Sequence, residues 1–416
     1  MTEVKYLIIG GGVAGTMAAD TIRKKDSEGS ITIISDEPYR FYSKIMLSKP
    51  AFFLGKIPFE TIWLRKEEWY PENKISLLLG KKAVSLDPVG KIVALDDGAS
   101  FKYEKLLLAT GSSVIKWPVV GADKNGICYL RTLDDVKKIM QLVKTAKRAA
   151  TIGGGFISFE MADLLRLSGK DVTLIIRENY FWEPILDEES GRLVEKVLKD
   201  AGVEILYKSE AKEILGGDSV ESILLNDGRK VEAEMVVCGI GVRSENEWLA
   251  GSGLKINKGI LANEYLETNL PDVWAAGDVA EYYDPILGET VKLGNWIHSQ
   301  EQGKRAGFNM AGEKEPFKFV SFYASQGLGA NIAFIGNIAP LPGRSVITRK
   351  YDNGKAIIRF IQSGNKIVGA TLINKTEDLK TIANMIENNI DVSDRLEELS
   401  DVNFNLSGFN SENINA

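Results

Sequence analysis

Three glycines in "YLIIGGGVAG" (6–15) have types and spacing that suit phosphate chemistry: Gly10, Gly12 and Gly15 fall in the pattern GxGxxG. An apolar, β-branched run (Tyr6 to Ile9) precedes them and a segment of helical apolar spacing follows, so the stretch reads as strand, tight turn, helix. The first glycine allows the turn, the second lets a pyrophosphate approach the backbone, and the third lets helix and strand pack closely. The helix N-terminus offers unpaired N–H groups and a partial positive charge to the phosphates. The next strand, "SITIISDEPY", ends in Asp36 and Glu37, roughly 20 residues beyond the last glycine, where a carboxylate can accept ribose hydroxyls. Asp36 is the expected acceptor and Glu37 the fallback.

The same design recurs in "ATIGGGFISFE" (150–160), with Gly153 and Gly155 in the first two glycine positions and Ser158 in the third. That serine predicts slightly looser packing of helix on strand. The strand "DVTLIIREN" then places Ile176, Arg177 and Glu178 where a ribose-binding acid is sought. An acid there argues for NAD and an arginine for the 2′-phosphate of NADP. The sequence offers both, so the choice between NADH and NADPH stays open.

The elements that must position these turns belong to a chain of 416 residues, 44% apolar, long enough for two or three domains. A formal net charge of −6 argues against general nucleic-acid binding, which needs a basic field. No apolar run approaches the ~20 residues that span a bilayer, and the N-terminus runs directly into a strand. The expected setting is cytoplasmic, without a membrane anchor. Only Cys128 and Cys238 are present, with no CxxC or CxxxxC pair. Neither a redox-active dithiol nor a metal site is therefore expected, and both cysteines read as small core residues. His298 is the only histidine. The count excludes histidine triads and multi-histidine metal sites, leaving a polar residue at a helix start or a group beside a cofactor.

Hairpin turns are predicted at Asp97-Gly98 and Asp227-Gly228, and an apolar strand ends in Gly277-Asp278 within "TNLPDVWAAGDVAE". "NWIHSQEQGKRAGFNMAG" has the content of a helix. From about residue 319 short alternating strands and a helix ("TEDLKTIANMIENN") indicate a separate α+β domain, closing in a loose tail of about a dozen residues rich in Asn and Ser.

Four ordered motifs, "GGGVAG", "LLLATGSS", "GGGFISFE" and "VWAAGDVAE", carry a resemblance that covers nearly the whole chain. It resembles the two-dinucleotide flavoprotein reductases related to glutathione reductase, most nearly their ferredoxin, rubredoxin and putidaredoxin reductase branch, which lacks the redox disulfide. The resemblance implies an α/β protein with two Rossmann-like domains and a C-terminal α+β domain: FAD bound by 1–115 with 246–318, NAD(P)H by 116–245, and 319–416 last. On the FAD side it implies roles for Gly10, Gly12, Val13, Ala14 and Gly15. It adds the strand end Ala109, Thr110 and Gly111, and Gly277 with Asp278. Ala83 matches a residue whose backbone meets the adenine, Arg131 an arginine near FAD, and Trp296 an aromatic covering the flavin edge. On the nucleotide side it implies Gly153, Gly155, Phe156, Ile157, Arg177 and Gly241.

The segment "YSKIMLSKP" is similar to "RPPLSK" of that branch: Lys44 stands for its arginine, Ile45 and Met46 replace its prolines, and Lys49 matches the lysine near the flavin ring. Glu160 matches its glutamate after the second glycine turn, and the resemblance implies that Lys49 and Glu160 pair beside the isoalloxazine as the catalytic residues. The implied reaction passes hydride from nicotinamide C4 to flavin N5, with no cysteine relay, and then electrons to a small redox protein such as ferredoxin or rubredoxin. An NAD(P)H oxidase, or an NADH-sensing flavoprotein resembling apoptosis-inducing factor, is the alternative. The expected assembly is a monomer or homodimer. The segments "RLSGK" and "RENYFW" read as ordinary solvated faces, or as basic and aromatic surface that could meet an acidic carrier.

Overall fold

Buried, largely β-branched runs form the parallel strands at the centre of each half, because a sheet covered on both faces reads as continuous apolar sequence. The structure, a computed structural model, describes residues 1–351 and 354–409. It divides into two compact units: 1–43, 60–113 and 243–322 form the first, and 44–59, 114–242 and 323–416 the second.

In the first unit β1 (Thr2–Ile9), α1 (Val13–Lys25) and β2 (Ile31–Ser35) make the expected strand–turn–helix–strand. β3 (Ile75–Leu79), β4 (Ala83–Asp87), β5 (Ile92–Leu95) and β6 (Ser100–Leu108) complete a sheet ordered β3-β2-β1-β6-β5-β4, with Val273–Ala275 parallel to β6. β1 is parallel to β2 and β6, and β5 turns into β6 through Asp97-Gly98 as an antiparallel hairpin. The helix Trp296–Met310 packs on α1.

The second unit repeats the pattern. α2 (Leu133–Thr145) starts at a capping box in which Thr132 and Asp135 satisfy each other's backbone N–H groups. β7 (Arg148–Ile152), α3 (Phe156–Leu167), β8 (Asp171–Ile175), β9 (Val203–Leu206) and β10 (Met235–Cys238) follow. The parallel sheet runs β9-β8-β7-β10, extended by Ile127–Cys128. A hairpin does form at Asp227-Gly228, between Ser222–Leu225 and Lys230–Glu232. The C-terminal sheet has the order β11-β12-β15-β14-β13, made from Phe322–Gly327 (β11), Ala330–Gly336 (β12), Arg344–Tyr351 (β13), Ala356–Ser363 (β14) and Lys366–Ile373 (β15). α4 (Leu379–Glu387) lies on β12 and β15.

Three expectations change. The chain is packed as far as its last described residue, since Leu406 and Phe409 are buried and the buried Arg349 donates to the carbonyls of Asp401 and Phe404. The remainder of the expected loose tail, 410–416, lies outside the described residues. Phe181 and Trp182 of "RENYFW" are no surface: both are buried, packed at tilted ring angles against Phe156 and Phe159, because their apolar rings complete the core under α3. His298 stands in the first turn of its helix but is fully buried among Tyr282, Phe317 and Phe319. Both cysteines are free and buried, and burial pushes the Cys128 thiol up to about 11, so neither is a ready nucleophile. No described helix is long and apolar enough to cross a membrane.

Candidate functional site

At the first glycine turn the backbone makes its closest approach. Gly10 has φ +121°, and a β-carbon there would stand 2.1 Å from the carbonyl oxygen of Ala109. The strand end Ala109-Thr110-Gly111 is thereby laid against the turn, with the Ala109 N–H donating to Ile9 O at 2.8 Å. Gly12 is the reverse case. It caps α1 with no side-chain hydrogen bond, no acid occupies the first helical turn, and a β-carbon would meet nothing within 4 Å. Open space in front of unsatisfied N–H groups is what a dinucleotide pyrophosphate requires, so these residues fit FAD. The following residues, Val13 and Ala14, begin the helix.

Beside the turn a groove is lined by Gly10, Asp36, Ala83, Thr110 and Gly111. The candidates from four separate strand ends therefore meet. Lys81, Lys82, Ser112 and Trp248 line the same groove and were not anticipated; only the paired lysines before β4 hinted at it. Asp36 is exposed there, whereas Glu37 accepts the Tyr42 hydroxyl at 2.5 Å. Asp278 accepts from Ser112 Oγ at 2.9 Å and Ser299 Oγ at 3.3 Å, and the Gly277 N–H donates to Gln302 Oε1 at 2.7 Å. Trp296 stacks on Phe41, ring centroids 5.7 Å apart and planes 5° from parallel. Gln302 Nε2 lies 3.3 Å from His298 Nε2, while the His298 Nδ1 has no hydrogen-bond partner among the described residues. Burial lowers that imidazole to about 3, so it stays neutral.

At the second turn Gly153 has φ +99° and Gly155 caps α3, which opens with Phe156 and Ile157. The looser packing expected at Ser158 is absent. Its hydroxyl donates to Ile152 O at 3.0 Å and fills space that Gly239 leaves clear, since a β-carbon at 239 would lie 2.5 Å from Ser158 Oγ. At the end of β8, Arg177 extends outward with three-quarters of its side chain exposed, and its Nε donates to Glu178 Oε1 at 3.0 Å. Glu178 Oε2 is buried without a hydrogen-bond partner among the described residues, 3.8 Å from where a Gly154 β-carbon would stand. Both residues line a groove with Asn179, Glu183, Lys208 and Glu210. Gly241, at φ +105°, accepts the Ile115 N–H at 3.0 Å.

Lys49 and Glu160, 111 residues apart, meet as an ion pair at 2.8 Å. Lys49 caps the short helix Pro50–Phe53 and is one-third exposed; Glu160 is 5% exposed on α3. Glu160 Oε1 also accepts from Ser325 Oγ at 2.7 Å and Tyr323 OH at 3.3 Å. Neither of these C-terminal residues carries any local sequence mark. Asp163, one turn along α3, is buried too, and burial raises its pKa. Lys44 opens a turn packed against α2 and α3, and Arg131 stands just before α2, its backbone N–H donating to Asp135 at 2.9 Å. No cluster of potential metal ligands occurs among the described residues.

The profile of the pyridine nucleotide-disulphide oxidoreductase family matches residues 4–303. The chain is 32% identical over 399 residues to the nitrite reductase [NAD(P)H] of Bacillus subtilis, covering 95% of this chain and 48% of that protein, so it spans about half the relative's length. It is 29% identical to the biphenyl dioxygenase system ferredoxin–NAD(+) reductase component of Paraburkholderia xenovorans, covering 96% of each. Among solved structures, a ferredoxin reductase from Rhodopseudomonas palustris superposes with a TM-score of 0.88 at 26% identity, covering 97% of this chain and 98% of that one.

Proposed function

We propose, given that this chain belongs to the pyridine nucleotide-disulphide oxidoreductase family and is an oxidoreductase using FAD and NAD(P)H, that it is an NADH:acceptor reductase delivering electrons to a small redox protein such as ferredoxin or rubredoxin. The observation that carries this reading is the Lys49–Glu160 pair, assembled in a chain whose only two cysteines are buried. A route through a dithiol is closed, so electrons leave for a separate acceptor.

In this reading 1–115 with 246–318 hold FAD, 116–245 hold the nucleotide and 319–416 complete the protein, in a cytoplasmic setting. FAD held by these residues would supply hydride acceptance from nicotinamide and single-electron release to a carrier. The chain's own residues bind and orient. The α1 N–H groups would hold the FAD pyrophosphate, Asp36 would accept from its ribose, and Asp278, held by two serine hydroxyls, would hold the ribityl region. Lys49 supplies a fixed positive charge. Glu160 anchors Lys49 through Oε1, and Oε2, which has no hydrogen bond among the described residues, is left to the nicotinamide side. Glu178 favours NADH: a carboxylate at the strand end, lining the groove, suits a ribose hydroxyl and opposes a 2′-phosphate.

The test is anaerobic mixing of the flavin-loaded protein with NADH and NADPH, followed by ferredoxin, rubredoxin or air. Bleaching by NADH and faster reoxidation by a carrier than by oxygen is the expected result. Faster reoxidation by oxygen than by either carrier would make the protein an oxidase. No reduction by either nucleotide would leave it a nucleotide-sensing flavoprotein.

A further inference from the structure

We propose that Ser325 and Tyr323, on the first strand of the C-terminal sheet, are positioning residues for Glu160, so that the C-terminal region completes the Lys49–Glu160 site. The inference rests on the function proposed above for that pair. β11 runs along one face of α3. Tyr323 meets Phe156 edge-on at 4.2 Å between ring centroids and reaches Glu160 with its hydroxyl. Ser325 bonds Glu160 at 2.7 Å, and a β-carbon at Gly327 would lie 3.0 Å from Phe159 and 3.2 Å from Asp163. Next to it the Leu328 N–H donates to Asp163 at 3.3 Å. Alternate strand residues 323, 325 and 327 thus follow helix positions 156, 160 and 163. The match is approximate: two strand residues advance about 6.7 Å, four helix residues (156 to 160) about 6 Å and three (160 to 163) about 4.5 Å.

A carboxylate this deeply buried needs such a clamp. The terminal torsion of glutamate is broad, and Lys49 alone, one-third exposed on a flexible stem, fixes only one contact. Two hydroxyls converging on the same Oε1 hold the plane of the carboxylate and stabilise its charge. Asp163 is the other acid on this face; its own partner is a backbone N–H, so both hydroxyls serve Glu160.

The test uses the flavin-loaded protein as wild type, S325A, S325T, Y323F and S325A/Y323F, all checked for full FAD content. Acetylation of the Lys49 amine, followed by mass spectrometry without nucleotide, reads the pair directly. Stopped-flow reduction by NADH separates Kd from limiting rate. In the double variant Lys49 labelling is expected to rise about tenfold and the limiting rate to fall about tenfold, as for loss of a charge-assisted hydrogen bond. Kd for NADH should stay within about twofold, since neither hydroxyl is assigned to the nucleotide. S325T, which keeps the hydroxyl, should recover most of the S325A loss. Unchanged labelling and rate in the double variant would overturn the proposal. If that variant loses FAD, S325A alone, which removes one oxygen, decides by the same two readouts. If wild type is not reduced by NADH, the electron-transfer reading falls, while the labelling ratio still decides whether the hydroxyls hold the pair.

Discussion

Ser158 and Gly239 share one volume: the serine hydroxyl sits where a side chain at 239 would begin. A third glycine in the second turn is therefore unnecessary, because the missing atoms are on the facing strand end instead. G239A should destabilise the second unit by about 1–3 kcal/mol through overpacking. S158A/G239A should recover most of that loss, a coupling that independent sites lack. Denaturant midpoints of the two single variants and the double measure it, and simple additivity would contradict the shared volume.

Gly10 and Gly12 separate folding from cofactor retention. G10A forces a β-carbon to within 2.1 Å of the Ala109 oxygen at positive φ, so the prediction is misfolded, flavin-free protein. G12A meets nothing in the chain itself. Its unfolding free energy without cofactor should stay within about 0.5 kcal/mol of wild type, while FAD is lost on gel filtration. Full retention of FAD by G12A would remove this turn from the pyrophosphate site.

Glu178 is predicted to set nucleotide preference. Wild type should be reduced faster by NADH than by NADPH, and E178Q should narrow that ratio by about tenfold, the value of one ribose contact to a charged acceptor. Comparing kcat/KM for the two nucleotides checks it. An unchanged ratio would assign the preference elsewhere, with Arg177 the next residue to replace.

His298 predicts an acid weakness. Its folded pKa, about 3, is depressed by burial from the ordinary 6.5. The unfolded chain therefore takes up the proton first, and the stability contributed above about pH 6.5 is lost as pH falls towards 3, at a slope approaching ~1.4 kcal/mol per unit. Urea midpoints of wild type and H298Q between pH 7.5 and 4.5 should diverge, with the wild type falling more steeply. Asp163 and Asp284, raised by burial, act in the opposite sense, and comparing the two proteins cancels them.

What the sequence reveals is what neighbouring residues decide. Both glycine turns, the Asp97-Gly98 and Asp227-Gly228 hairpins and the helix from Trp296 follow from local pattern. The relation of Ser158 to Gly239 does not, because no periodicity connects the start of α3 to the end of β10. Residues 44–59 interrupt a stretch that otherwise builds the first unit, yet they fold with the second; Leu47, Phe52 and Phe53 are buried, but nothing in their local sequence says in which core. The Lys49–Glu160 pair was legible only through resemblance, and Ser325 through nothing at all, since a serine on a short strand looks like any other.

The distance along the chain from Glu160 to Ser325, 165 residues, also sets an order of events during synthesis. At roughly 5–20 residues per second, α3 leaves the ribosome some ~8–33 s before β11 does. For that interval the carboxylate has no hydroxyl to bond and a newly made chain has every reason to keep it in water. The Glu160 end of α3 is thus the part of the protein whose closure must wait for the last domain, and nascent chains stalled before β11 leave Phe156 without the rings of Tyr323 and Phe334.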